Sequence, residues 1–474
     1  MSPDVIIIGV LNYYSPLFPG NAMSQFKQWS HNQAFLLPPD LCDWIPQDDL
    51  VHFVIEAVGR VDMTCFRVNA RGTGDAQYHP RMMLSLLIYC YANGIFSSRR
   101  IERATYRDIG VRYLTADTHP DHDTICKFRR ENLSAVSESF VQVLLLAKEL
   151  KLLKVGLVSV DGTKLDANAN KSRSVRYDRA KALSQQLRLE VDELLKQAEK
   201  QDRGNAVDPQ SLPEEIARRE SLRSKLDGAC RRLEARARAR AESERERHEK
   251  IVQARAERRG RKKGGLPKAP SAVPEPREQS NLTDPDSRLM RKNKRSEYRQ
   301  GYNAQAVVTA DGSQLILSAG VSQCASDRNE LVSAVSRIPG VVGQPNTVLA
   351  DNGYANGNEV AKLEQMGVEA LVATGAEGRR RLHDFRPELP AKPVREPKAD
   401  WLIAMKKKME SESARSKYRL RKQTVEPVFG IIKNVLRFTR FSLRGLEKVR
   451  GEWELVALSY NLKRLHKLAG APAG

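Results

Sequence analysis

A lone strand signal constrains this chain more than any other feature. Val155-Gly-Leu-Val-Ser-Val160 is a short apolar run that closes on Asp161-Gly162. The next strand patterns, Asn303 to Ala310 and Leu315 to Val321, flank Asp311-Gly312, a hairpin signal. Two more follow: Thr347 to Ala350, closing on Asp351, and Glu369 to Ala373. Helical patterns over Asp327 to Ile338 and Asn358 to Met366 separate them. A sheet that uses the first strand must therefore be assembled across everything between residues 162 and 302.

That interval reads as helix. From Tyr177 to Arg259, Leu183, Leu187, Val191 and Leu194 make one apolar stripe and Leu222, Leu226 and Leu233 another, with a breaker segment at Gln201 to Pro213. The pattern predicts a helical hairpin, an antiparallel coiled coil, ending in a Gly- and Pro-rich linker, Gly264 to Pro276. The second arm is extremely basic, and Arg236, Arg238 and Arg240 are candidates for phosphate contact. A solvated helix laced with Glu and Arg pairs is the bland reading. Before the lone strand, Asp48 to Val58, Pro80 to Ala92, Ser98 to Thr105 and Thr124 to Leu150 read as helices, with Asp123-Thr124 as a cap for the last. Lys127, Arg129 and Arg130 in its first turns suit a DNA groove or, equally, a solvated basic face. His119 and His122 are better read as turn residues than as a metal pair, because no further ligand is near. Two helical stretches close the chain, Thr424 to Leu436 and Leu446 to Ala469, after a basic, turn-rich segment from Gly378 to Lys398.

With 474 residues, about three domains are expected. The formal charge of +21 argues against a typical small-metabolite enzyme and for a polyanionic partner, nucleic acid first, a membrane surface or acidic protein second. The six scattered cysteines form no C-x-x-C pair, so no zinc module is suggested and a reducing compartment is. No apolar run reaches the roughly 18 residues of a bilayer span.

The strand-ending acids suggest chemistry. If the first and fourth strands are neighbours, Asp161 and Asp351 lie side by side, and a later helix could bring Glu426 to them. Converging carboxylates repel unless a cation sits between them. Oxygen-only ligands select Mg²⁺, with Mn²⁺ as a substitute. Two such ions form a clamp for in-line attack on a phosphodiester. Asp166 is the nearest decoy for Asp161. Asp327 and Glu330 are set aside as third ligands because they precede the strand carrying Asp351. Asn352 and Tyr354 either shape the site loop or serve as turn and packing residues.

At these residues the chain resembles the bacterial insertion-sequence DDE transposases. The resemblance is carried by VDGTKLDANANKS around Asp161, NLTDPDSRLM from Asn281, LADNGYAN around Asp351, TVEPVFGIIKNVLRF around Glu426, LSYNLKRL from Leu458 and HPDHDTICKFRREN from His119. It implies an α/β fold with an RNase H-like mixed-sheet catalytic core, a helical N-terminal domain and an inserted basic helical hairpin. The expected division is an unstructured extension over 1–23, a helical DNA-binding and dimerisation domain over 24–150, a core split into 151–174 and 282–440, the insertion over 175–281, and a C-terminal helix over 441–474. Asp161, Asp351 and Glu426 are then the catalytic metal ligands, holding two Mg²⁺ ions. Relatives carry a Tyr, Arg, Glu and Lys pattern on the glutamate helix. Counting from Glu426, the Lys falls on Lys433, the Arg on Lys422 and the Tyr on Arg419, one residue after Tyr418. Lys422 and Lys433 are expected to hold DNA phosphates. Glu426 and Lys433 share a helix face, and Pro427 suits a first turn, placing Glu426 at the helix start. The activity implied is cleavage at the ends of an insertion sequence and joining of the 3′-hydroxyls to target DNA. The partners implied are double-stranded DNA (terminal inverted repeats and target) and a second copy of the chain when DNA-bound, in the bacterial cytoplasm, nucleoid-associated, with no membrane. A nuclease of the same fold without strand transfer, and a non-catalytic DNA-binding derivative, are the alternatives.

Overall fold

The computed structural model describes residues 40–68, 76–201, 211–257, 268–291, 295–375 and 399–470. The expected extension over 1–23 and the basic segment 378–398 lie outside the described residues. Six helices come first: α1 (Leu50–Gly59), α2 (Pro80–Ala92), α3 (Ser98–Arg107), α4 (Ile109–Leu114), α5 (His122–Glu131) and α6 (Leu133–Glu149). The helix expected over Thr124 to Leu150 is thus two. Asn132 breaks it, because its side chain donates to the Phe128 carbonyl (2.9 Å) and accepts from the Arg67 amide (2.8 Å), competing with the helical ladder. The cap is Asp121, whose Oδ1 accepts the Asp123 and Thr124 amides, each at 2.8 Å.

Strand β1 (Leu157–Asp166) runs well past Asp161, which therefore sits mid-strand rather than at a strand end. A short ribbon pairs β2 (Ser174–Arg176) with β3 (Gln279–Asn281), and from it projects the hairpin of α7 (Tyr177–Gln201) and α8 (Ser211–Glu257). Its cross-helix pairs, Tyr177 with Glu234, Ser184 with Asp227 and Arg219 with Glu190, fix an antiparallel register. The apolar stripes meet most closely near the base, around Ala180, Leu226 and Ala229, and Val191 is buried farther along.

The chain then returns to the sheet with β4 (Arg288–Met290), β5 (Arg299–Thr309) and β6 (Ile316–Ser322). After the short α9 (Leu331–Ser336) come β7 (Thr347–Ala350), α10 (Gly357–Gln365) and β8 (Glu369–Val372). Strand β5 pairs antiparallel with β1, β4 and β6, while β7 pairs parallel with β1 and β8 with β7. The result is a mixed sheet with β1 beside β7, as an RNase H-like core requires. Helices α11 (Asp400–Glu410), α12 (Glu412–Arg419) and α13 (Arg421–Gly430) lead through a π-helical turn, Ile431–Val435, to α14 (Leu446–Ala469).

Helix α14 ties the sheet to the N-terminal helices in one apolar core. Buried Trp453 donates to the Gln305 carbonyl on β5 (2.9 Å). Asn461 binds both the amide and the carbonyl of Ile316, where the β5–β6 register shifts, so the irregular backbone keeps its partners. On its other side Gly451 passes so close to Leu133 that a Cβ would come within 2.7 Å of it. The NLTDPDSRLM motif also turns out to be architectural. Asp284, fully buried, accepts from Tyr302 Oη (2.9 Å) and the Gly445 amide (3.2 Å), and Asp286 accepts the Leu446 amide (3.1 Å) at the start of α14. Among the described residues no helix is long and apolar enough to cross a membrane.

Candidate active site

The parallel β1–β7 ladder pairs Leu157 with Thr347 and Ser159 with Leu349. Continuing that register brings Asp161 level with Asp351. Each aspartate spends one oxygen on a nearby amide of its own segment: Asp161 Oδ1 accepts the Gly162 amide within β1 and Asp351 Oδ1 the Gly353 amide of the following turn, both at 2.8 Å. Their Oδ2 atoms are left for the site. Helix α13 lies against β1 and β5 and carries Glu426 there.

Arg421 stands in the midst of these acids. Its Nη2 is 3.3 Å from Asp161 Oδ2 and 3.8 Å from Asp351 Oδ2, and its Nη1 is 3.3 Å from Glu426 Oε1. The guanidinium is about nine-tenths buried, its side chain being 10% exposed, against 20% for Asp161, 42% for Asp351 and 50% for Glu426. Burial pushes the Asp161 carboxyl up to about 7, against the pull of Arg421, and the charges of Asp351 and Asp327 push the same way. The acids thus form an oxygen-only donor set of the kind Mg²⁺ prefers. Among the described residues no three acid, His or Cys side chains are drawn together closely enough to grip an ion as they stand. The cation they share is a guanidinium.

Residues 272–462 match the family described as Transposase DDE domain, and residues 39–131 the family described as Transposase domain (DUF772). The chain belongs to the insertion-sequence DDE transposases. The DDE match spans Asp351, Arg421 and Glu426; Asp161 precedes its start. Comparison with curated proteins and with solved structures found no match.

Helix α13 of this transposase differs from its sequence reading. It starts at Arg421, so Glu426 is mid-helix and Pro427 lies inside rather than in a first turn. Proline leaves the carbonyl four residues back without its amide. That carbonyl, Gln423 O, accepts Gln314 Nε2 at 2.7 Å instead. Lys422, the residue counted as the family's arginine, is exposed, while Arg421 meets the acids. The spacing from Tyr418 to Arg421 was the available signal, since it keeps the Tyr-to-Arg interval of the pattern. Tyr418 donates to the Ala350 carbonyl (3.2 Å), which fixes α12 beside the residue preceding Asp351. Lys433 lies in the π-helical turn and donates to Thr163 Oγ1, two residues beyond Asp161 on β1.

The other basic candidates divide sharply. Lys127 and Arg130 are exposed on α5, but Arg129 is 3% exposed and donates to Tyr91 Oη (2.7 Å) and the Phe96 carbonyl (3.0 Å). Arg129 therefore belongs to the interior and cannot face DNA. Arg236 is likewise drawn inward, half-buried and donating to the Pro285 carbonyl, which joins the hairpin to the core. Arg238 and Arg240 are exposed, Arg240 pairing with Glu278 at 3.2 Å. His119 stacks on Tyr106 and lies 3.2 Å from Thr105 Oγ1, and His122 Nδ1 lies 2.9 Å from Glu102. Two adjoining depressions went unnoticed in the sequence. Lys164 and Lys433 line one, Lys171, Arg173, Arg440 and Arg444 the other, and both share Asp166, Glu297 and Arg299. Their residues come from segments too far apart to form a visible run.

Proposed function

We propose that the chain cleaves DNA at the ends of its insertion sequence and joins the freed 3′-hydroxyls to target DNA, with Asp161, Asp351 and Glu426 as the catalytic acids. The convergence of these three side chains, from β1, the end of β7 and α13, on one shared cation carries the reading. The same carboxylates would hold two Mg²⁺ ions, which when bound supply Lewis-acid activation of the attacking oxygen and stabilisation of the leaving 3′-oxygen. Arg421, on giving up its acid partners, presents a planar fork suited to a phosphate beside the cut. Lys433, held beside β1, and the exposed Lys422 add positive charge around the same strand. The paired basic depressions leading from Lys433 to Arg444 offer a path for the duplex, and Arg238 and Arg240 extend it onto the hairpin. Lys127 and Arg130 belong to the second DNA-facing region of this reading. Cutting two element ends calls for two copies of the chain on DNA.

Asp351→Asn and Glu426→Gln should each lower cleavage of an element-end duplex in Mg²⁺ by about 10³-fold or more, since metal-derived stabilisation is worth several kcal/mol. Binding of the same duplex should change little, because phosphate contacts elsewhere position it. Wild-type cleavage by Asp351→Asn overturns the assignment. Pre-cleaved ends test the second step: joined product supports a transposase in full, and cutting without joining leaves a nuclease of the same fold.

A further inference from the structure

Asp327, passed over in the sequence because of its place in the chain order, lies at the heart of the sheet's polar end. It sits in the loop between β6 and α9. Its Oδ1 accepts two side-chain amides from β5, Asn303 Nδ2 and Gln305 Nε2, each at 2.7 Å. Those residues are two apart on one strand and so share a face. Gln305 in turn accepts the hydroxyl of Tyr354, a fully buried residue closing the turn that begins at Asp351. The same group reaches β1. Gln305 is the β5 partner of Gly162, the residue after Asp161. A Cβ at Gly162 would stand 2.5 Å from Asp327 Oδ1 and 2.4 Å from Gln305 Nε2, so a larger residue there would have to push these side chains aside. Asp327 Oδ2 lies 3.7 Å from where a Gly353 Cβ would be, against the Asp351 turn.

The β1–β7 ladder does not extend to the two aspartates. Its last recorded pair is Ser159 with Leu349, two residues short of Asp161 and Asp351. Something other than strand pairing must therefore set the separation of those carboxylates. We propose that Asp327, acting through Gln305 and Tyr354, is a positioning residue that ties the Asp161 segment of β1 to the Asp351 turn and so limits how far the two carboxylates can separate when a cation binds. The clamp works through accepted hydrogen bonds: one oxygen gathers two amides, and the second amide passes the constraint to Tyr354. A carboxylate so close to Asp161 disfavours its ionisation, which is the charge cost of the arrangement in metal-free protein.

The inference rests on the proposed acid triad, and the test separates the two. Mn²⁺ binding to the DNA-free protein, followed by electron paramagnetic resonance, is measured alongside the Mg²⁺ concentration for half-maximal cleavage and the rate at saturating Mg²⁺. Removing an outer partner of a metal site typically weakens metal binding about 10- to 100-fold. Asp327→Ala should weaken Mn²⁺ binding in that range and raise the Mg²⁺ requirement in parallel, with a smaller loss of rate at saturation. Asp327→Asn keeps the accepting oxygen and should stay within about threefold of wild type. Tyr354→Phe loses only the last link and should fall between them. Should Asp327→Ala fail to fold, Tyr354→Phe and Asp327→Asn still decide. Unaltered Mn²⁺ binding in Asp327→Ala, or in Tyr354→Phe, overturns the clamp, and so does Asp327→Asn proving as weak as Asp327→Ala, because charge would then be what matters. If Asp351→Asn cuts normally, the triad itself is wrong; if Asp351→Asn is inactive while Asp327→Ala binds Mn²⁺ normally, only the clamp is.

Discussion

The α7–α8 hairpin and the sheet end around Asp161 both gather charge, by opposite routes. On the hairpin, charge comes from a basic run along one helix and lies mostly on its exposed surface. Arg238 and Arg240 lie on the outside, and a small apolar cluster around Leu226 and Ala229 joins the helices together with a few polar pairs. At the sheet end, Asp161 on β1, Asp351 after β7, and Arg421 and Glu426 on α13 meet only because the fold brings those three elements together. A charge placed by local pattern stays solvated and costs little. A charge placed by tertiary structure is partly desolvated, so its partners matter, and removing one has consequences at the others. Mutations in the two regions should therefore differ in kind.

Arg421→Ala should have the largest effect on the fold. Three carboxylates lose their shared cation, and breaking a buried ion pair costs about 3–5 kcal/mol. Half-exposed Glu426 and Asp351 moderate that, so about 3 kcal/mol is expected for metal-free protein. Added Mg²⁺ should recover part of the loss in Arg421→Ala more than in wild type, because the vacated acids accept a metal cation in its place. Urea unfolding with and without Mg²⁺ measures both numbers. A variant as stable as wild type in chelator would mean that the acids are solvated enough to need no partner, erasing the contrast with the hairpin.

The same contrast explains what the sequence disclosed. The hairpin was legible because its contacts are local: stripes three or four residues apart mark the inner faces whatever the rest of the chain does. The β5–β6 hairpin was legible through Asp311-Gly312, and α2 and α14 through uninterrupted patterns with clear ends. Asp161 and Asp351 stand out as acids closing strand patterns, whereas Glu426 is picked out chiefly by motif resemblance, since nothing local links it to Asp161. What failed depended on tertiary surroundings. Arg129 looks like its neighbours Lys127 and Arg130, and only the packing of Tyr91 and Phe96 draws it inside. Counting back from Glu426 puts the pattern's arginine on Lys422, and Arg421 enters only as the fallback, when the pattern is shifted by one residue to keep Tyr418. Asp327 was dismissed on chain order, yet side-chain amides on β5 bring it to the site. The mostly polar stretch 161–166, with only Leu165 apolar, hides the second half of β1, because its strand conformation is imposed by β5 across the sheet.

Asp161→Asn should give a smaller change, of opposite sign. The folded state holds this carboxyl up near 7. An acid raised in the folded state binds its proton more tightly there than when unfolded, near 3.9. Wild-type stability should therefore fall as pH rises from about 4 to about 7. Asn is neutral throughout. In chelator at pH 8, Asp161→Asn should be the more stable protein by on the order of 2 kcal/mol, with no such gain at pH 4. Thermal melts across pH read the difference directly. A stabilised but inactive variant would mark Asp161 as a residue kept for chemistry at a cost to the fold. A gain that persists at pH 4 would point to packing instead.

The hairpin should respond least in stability and only in its dealings with DNA. Arg236 is left out of this test because it donates to the Pro285 carbonyl and is part of the junction. Arg238→Ala with Arg240→Ala removes two exposed cations, one of which gives up only a pair with Glu278. Surface pairs contribute about 0–1 kcal/mol, and Ala favours helix, so the melting temperature should hardly move. Each lost phosphate contact lowers the salt dependence of duplex binding by about 0.9 in a plot of log affinity against log salt, so the double variant should flatten it by up to about 2. The effect should be the same for element-end and unrelated duplexes, since phosphate contacts carry no sequence information. At saturating DNA the cleavage rate should match wild type. An unchanged slope would leave these arginines as a solvated helix face; a flattened slope with a lowered saturated rate would mean that the hairpin reaches the cut itself, and the two regions would have to be treated as one site.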